Sequence, residues 1–201
     1  MTDLSVIMRN FDVPDVSVNF SPSRNVSPGQ HIPAVIGSDY GNVLASYLWG
    51  LIPFWAKDPS IGAKLINARA ETITQKPSFK NAFAKRRCLI PAEGFYEFKK
   101  EGIKKIPYCF GLKSGKPFAF AGLYERWIAP DKKTLETCTI ITTSANDVVA
   151  PIHSRMPVIV PKAAQEIWLN PECKDALKLL DILKPYSADQ MECKIDDFYL
   201  L

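Results

Sequence analysis

The chain has 201 residues, of which 47% are hydrophobic and 11% aromatic, with a formal net charge of +4. That much apolar material suits one large domain with a sizeable core and excludes intrinsic disorder, while the mild positive balance permits a nucleic-acid partner without arguing for one. No apolar run approaches the roughly 18 residues of a membrane helix, and the start lacks a basic-then-apolar signal pattern, so no membrane association is expected and the chain reads as soluble and cytoplasmic.

Thr2 can cap a helix whose apolar face is Leu4, Ile7, Met8 and Phe11. Residues 12–33 read as loop, punctuated by Pro14, Pro22, Pro28 and Gly29. Strands are expected over 32–36 and 44–49, across a Gly-Ser-Asp-Tyr-Gly turn. Residues 53–64 read as irregular and 78–84 as a short helix. Strands follow at 88–90 and 94–99, joined through the turn-forming Pro91-Ala92-Glu93-Gly94. Further strands are expected at 108–112, 118–124 and 137–142, the first two turning as a hairpin around 113–116. Residues 157–160 are strand-like, and 162–169 and 174–183 read as amphipathic helices. No repeat or long linker divides the chain. The expected architecture is a single α+β domain over residues 1–201, with a curved, mainly antiparallel β-sheet or barrel and peripheral helices.

The five cysteines are odd in number and form no C-x-x-C pair, which reads as reduced thiols and not as a disulfide frame or zinc site. Cys88, the thiol nearest the polar motifs, reads as buried and inert.

Those motifs lie in three separate segments. Strand periodicity puts Phe95 and Glu97 on one face. If that face is buried, the Glu97 carboxyl loses solvent, its pKa rises, and it suits proton transfer near neutral pH; a solvent-facing edge glutamate is the plain alternative. His153, in a loop between apolar segments, is either a general acid or base or a core histidine satisfied by one hydrogen bond. Arg155, two residues on, points to the same side in extended structure, and a cation there suits an anionic ligand such as phosphate. Asn67 and Arg69 repeat the i, i+2 arrangement, and Glu71 continues the row, placed to hold Arg69 in an ion pair. Trp49 and Trp55, in the apolar stretch 48–55, either stack on nucleobases or belong to the core. Mixed cations and carboxylates disfavour a metal site and no glycine-rich phosphate loop occurs, so neither metal nor cofactor is expected.

Taken in order, these runs resemble the SOS response-associated peptidase (SRAP) family. The matching pieces are Asn25-Val26-Ser27-Pro28, the stretch from Trp49 to Trp55, Asn67-Ala68-Arg69-Ala70-Glu71-Thr72, the run from Arg87 to Phe98, Ala121-Gly122-Leu123-Tyr124, Ile140-Ile141-Thr142-Thr143, and His153-Ser154-Arg155-Met156-Pro157. The resemblance implies a monomer that recognises abasic sites in single-stranded DNA and becomes covalently attached to them in the DNA damage response. It implies active-site roles for Asn67, Glu97 and His153, DNA-phosphate contacts for Arg69 and Arg155, and places near the lesion or the strand for Thr142 and Trp55. Family members begin Met-Cys-Gly-Arg. Their exposed cysteine supplies an amine, which forms a Schiff base with the sugar aldehyde, and a thiol, which closes a thiazolidine. This chain begins Met1-Thr2-Asp3-Leu4, with no cysteine before Cys88. The expectation is therefore that the N-terminal catalytic strand is missing from it. A non-covalent lesion-binding module that has lost its nucleophile, and a cysteine-type, self-processing peptidase, are the alternatives.

Overall fold

The computed structural model describes residues 3–14 and 22–196. Helix α1 (Leu4–Asn10) is capped by Asp3, whose side chain accepts from the Ser5 N–H at 2.8 Å. Asp3 thus takes the role expected of Thr2, which lies outside the described residues. Ile7 and Phe11 go into the core, with Leu4 and Met8 partly buried beside them.

Strands β1 (His31–Ser38) and β2 (Gly41–Trp49) form a hairpin whose register runs from Ser38 opposite Gly41 to His31 opposite Leu48. Residues 53–64, expected to be irregular, contain a 3₁₀ turn over Pro59–Lys64. The signal was present: Asp58 accepts from the Ser60 N–H and Pro59 stands at the first helical position. After β3 (Asn67–Arg69) and α2 (Lys80–Lys85), β4 (Arg87–Ala92) is buried along its whole length.

Pro91 and Ala92, expected in a turn, instead continue β4 opposite Ala119 and Phe118. Strand β1 pairs with β4 only at Val35–Leu89 and Ile36–Cys88. Pro91 therefore sits where β4 has a locally free edge, and there its missing N–H is tolerated. The chain crosses to a second sheet at Glu93-Gly94. A Cβ on Gly94 would lie 2.8 Å from the Phe110 carbonyl oxygen, so the crossing needs glycine.

The second sheet is β5 (Phe95–Glu101), β6 (Lys104–Leu112) and β10 (Met191–Ile195), in the order β10-β6-β5. The expected hairpin around residues 113–116 does not form. Strand β6 pairs with β5 across Gly102 (φ 62°), while β7 (Phe118–Ile128) pairs with β4 and with β8 (Thr134–Ser144). Polarity patterns locate strands but do not choose their partners.

Strands β2-β1-β4-β7-β8 are antiparallel neighbours, and a short parallel pairing of β2 with β8 at Leu48–Thr137 and Trp49–Cys138 closes them into a barrel. The expected curved, mainly antiparallel sheet thus curls until it closes. Successive wall residues serve two cores. Leu89, Ala121 and Leu123 pack with Ile7, Phe83, Trp168 and Leu179 from the helices, and Cys88, Ile90 and Phe120 pack with Phe95 and Phe110 of the second sheet. Helices α3 (Lys162–Leu169) and α4 (Ala176–Ile182) complete the helical layer. Among the described residues no helix is long and apolar enough to cross a membrane.

One feature of β8 positions the site. Its pairing with β7 ends at Ile140 opposite Gly122, and its last residues lie between β3 and β9 (Arg155–Pro157). Arg69 thereby stands opposite Thr142 on one side, and Arg155 opposite Ser144 on the other.

Candidate active site

The free edge of β4, the Glu93-Gly94 crossing and strand β5 line a cavity of about 850 Å³, whose other walls include Asn67, Arg69, Thr142, His153, Arg155 and the segment from Ser23 to Pro28. Three segments far apart in sequence therefore meet in one place.

Phe95 is buried, stacks on Phe110 with centroids 5.1 Å apart and meets Phe120 at 6.0 Å. Glu97 lies two residues on, and its side chain keeps only 25% of its exposure. Burial raises its pKa above the ordinary carboxyl range, opposed by the charge of His153 and by the Phe98 N–H. The Nδ1 atom of His153 stands 3.6 Å from Glu97 Oε1. The same nitrogen lies 3.1 Å from the Arg155 N–H donor and 3.0 Å from the Arg155 carbonyl oxygen. Unprotonated, Nδ1 accepts from the Arg155 N–H; protonated, it donates to the Arg155 carbonyl and faces the Glu97 carboxylate. One ring atom thus has a partner in either state, as proton exchange with Glu97 requires.

Arg155 does not lie free. Its Nη1 donates to Glu71 Oε1 at 2.6 Å, and its Nη2 to Glu71 Oε2 at 3.0 Å, to the Thr142 carbonyl at 2.7 Å and to Thr142 Oγ1 at 3.3 Å. Arg155 in turn holds the Glu71 carboxyl below its ordinary range. Glu71 was expected to pair with Arg69. It does not, because the 3₁₀ turn over Ala70–Thr72 ends the extended row after Arg69 and carries Glu71 toward β9. Arg69 is exposed, and among the described residues its guanidinium has no hydrogen bond or ion pair. Asn67 is likewise exposed in the cavity wall with its amide unengaged.

Trp55 is 47% exposed beside Phe54, outside the cavity lining. Trp49 lines it instead, its Nε1 donating to the Ile66 carbonyl at 2.8 Å. Four further lining residues escaped sequence reasoning: Arg24, Tyr96, Cys109 and Asp196. The Tyr96 hydroxyl donates to Asp196 Oδ2 at 2.7 Å, and Arg24 Nη2 lies 3.2 Å from both Asp196 oxygens. Desolvation, and then the Asp196 contact, push the Tyr96 hydroxyl up to about 12. Period two assigns Tyr96 to the face opposite Glu97, but β5 is an edge strand and the cavity wraps around it. Cys109 is the thiol that lines the cavity, and burial raises its pKa; Cys88 is fully buried with its thiol raised well above normal, as expected of an inert core cysteine. Among the described residues no three His, Cys, Asp or Glu side chains converge to hold a metal ion.

Comparison with known proteins agrees with this geometry. The model of the SOS response associated peptidase (SRAP) family matches residues 2–195. The chain is 51% identical over 174 residues to the abasic site processing protein YoqW of Bacillus subtilis, covering 86% of this chain and 78% of that protein. It is 32% identical over 198 residues to the abasic site processing protein HMCES of Xenopus tropicalis, covering 82% of this chain and 59% of that protein. A crystal structure of a Bacteroides thetaiotaomicron protein superposes with a TM-score of 0.79 at 34% identity, covering 86% of this chain and 77% of that one. One from Bordetella bronchiseptica superposes with a TM-score of 0.83 at 27% identity, covering 98% of this chain and 96% of that one.

Proposed function

This chain belongs to the SOS response associated peptidase family, and we propose that it binds abasic sites in single-stranded DNA, with Glu97 and His153 as the proton-handling pair. The observation that carries this reading is the 3.6 Å approach of His153 Nδ1 to Glu97 Oε1 inside a cavity that also holds an unpaired arginine and an unpaired amide. An abasic deoxyribose exchanges between a closed hemiacetal and an open aldehyde. Opening takes a proton from the anomeric hydroxyl and gives one to the ring oxygen, which an adjacent acid and base perform together. A half-buried carboxyl with a raised pKa suits such transfer near neutral pH. Asn67 would orient the sugar by hydrogen bonds, Thr142 lies near it, and Arg69 would meet the adjacent phosphate. Trp55 would stack on a base outside the cavity.

In a family member with an N-terminal cysteine, the amine adds to the aldehyde carbon and the carbinolamine loses water. The thiol then adds across the resulting imine to close a thiazolidine. Glu97 would carry the proton to the departing hydroxyl. A peptidase reading needs a thiolate, and the raised pKa of Cys109 keeps its thiolate scarce. The five cysteines are free thiols, in keeping with a cytoplasmic protein, and the reading is of one acting as a monomer.

The test is fluorescence anisotropy with matched single-stranded oligonucleotides, one carrying a stable abasic analogue. The abasic strand should bind more tightly, and Glu97→Gln should reduce that preference. Equal affinity for both strands, or no binding, refutes the proposal.

A further inference from the structure

The Arg155 guanidinium carries its own counter-ion. Its two terminal nitrogens meet the two Glu71 oxygens in parallel, a fork-to-fork geometry that fixes orientation as well as charge. The Thr142 carbonyl and hydroxyl take further bonds from Nη2, and the Arg155 side chain is only 23% exposed. Reaching a phosphate would break the paired bonds and strip a partner from the Thr142 carbonyl. The backbone of the same residue meets the catalytic histidine: the Arg155 N–H and carbonyl both lie within hydrogen-bond distance of His153 Nδ1. A continuous line of contacts therefore runs from Glu71 through Arg155 to His153 and Glu97.

We propose that Glu71 is a positioning residue. By gripping Arg155 it fixes the backbone that turns His153 toward Glu97, and it withholds Arg155 from DNA, leaving Arg69 as the phosphate contact of the cavity. The DNA part of this inference rests on the abasic-site reading above. An exposed ion pair would be worth little. This one differs because its arginine end is mostly buried and is bonded to three elements: the turn after β3, strand β8 and the start of β9. The Glu71–Arg155 pair is neutral as a unit, whereas Arg69, two residues before Glu71, brings an uncompensated charge to the rim.

The test has two arms on the full chain. With only two histidines in the sequence, His31 and His153, imidazole NMR signals resolve both, and His31, which faces Ser46 at 3.3 Å, serves as the internal control. In Glu71→Gln the His153 signals should shift and broaden while those of His31 stay; unchanged His153 signals overturn the positioning role. In the second arm, the salt dependence of single-strand binding is compared across variants. Arg69→Ala should lower the slope of log K against log salt by about 0.7, the loss of one phosphate contact. Arg155→Ala should leave the slope unchanged. Glu71→Gln should raise it by a similar amount, because the released fork can then meet phosphate, and should cut the preference for the abasic strand about tenfold through misplacement of His153. A slope that falls as much in Arg155→Ala as in Arg69→Ala overturns the division of roles. If the wild-type chain binds no single-stranded DNA, the abasic-site reading fails, and the NMR arm still decides the role of Glu71.

Discussion

Glu97 and His153, 56 positions apart, come from different sheets and meet with 3.6 Å between carboxylate oxygen and imidazole nitrogen. The carboxyl reaches that place because Phe95, on the same face of β5, is anchored against Phe110 and Phe120. Anchoring Phe95 drags Glu97 out of water. The site is therefore built at some cost to the fold, as proton-transfer sites commonly are.

That cost is measurable. The folded-state pKa of Glu97 is raised above its unfolded value by burial. A raised carboxyl contributes stability fully below its unfolded pKa of about 4.3 and loses it as pH rises through the folded value. At neutral pH the ionised carboxylate is then less comfortable in the fold than in the unfolded chain. Glu97→Gln should accordingly raise the melting temperature by a few degrees at pH 7–8, and the gain should shrink to nothing toward pH 4. Calorimetry across that range checks it. A variant destabilised at neutral pH would mean that the attraction of His153 outweighs desolvation.

A second buried charge has the opposite character. Arg87 is 3% exposed and has no carboxylate partner. Its guanidinium donates instead to the carbonyls of Phe83 and Ala84 at the end of α2, and of Trp168, Asn170 and Cys173 at and beyond the end of α3, lying over the Trp168 ring at 5.9 Å. Helix C-termini leave carbonyls unpaired and carry partial negative charge, so one arginine serves two helices. Burial lowers its pKa without bringing it near neutrality. Arg87→Met keeps the apolar bulk but orphans these carbonyls, and should cost about 3 kcal/mol or more. Urea denaturation should show the midpoint falling with little change in slope. Arg87→Lys, which cannot reach as many acceptors, should lie between the two.

How far the sequence can be read varies along the chain. Helix α3 coincides with its expected span, and most strands lie within a few residues of theirs, because those patterns are local. Sheet membership is not local. Nothing in residues 94–99 says that β5 leaves β4 for β6, and Pro91 reads as a turn until it is known that β1 has already left that level of the sheet. Glu97 and His153 were legible as candidates, and their meeting rested on the family resemblance. The partner of Glu71 was misread, because extending an i, i+2 row assumes the strand continues, and β3 stops at Arg69. Tyr96 and Asp196 were invisible because they belong to the far side of an edge strand.

The last prediction concerns covalent chemistry. Among the described residues no lysine lines the cavity, and its thiol, Cys109, is held protonated by burial with no amine among the cavity-lining side chains. Neither a Schiff base nor a thiazolidine can then start from those side chains. The 201-residue chain, incubated with abasic single-stranded DNA and run on a denaturing gel, should leave no heat-stable shifted band. Joining to it a relative's N-terminal strand with the Met-Cys-Gly-Arg start should produce the band, since amine and thiol then arrive on one residue. Replacing Glu97 by alanine in that joined chain should slow the band's appearance by a factor of roughly 100 to 10,000, the usual worth of a positioned proton-transfer group. A strong band from the unjoined chain would mean that another nucleophile reaches the lesion, and that Glu97 and His153 serve it instead.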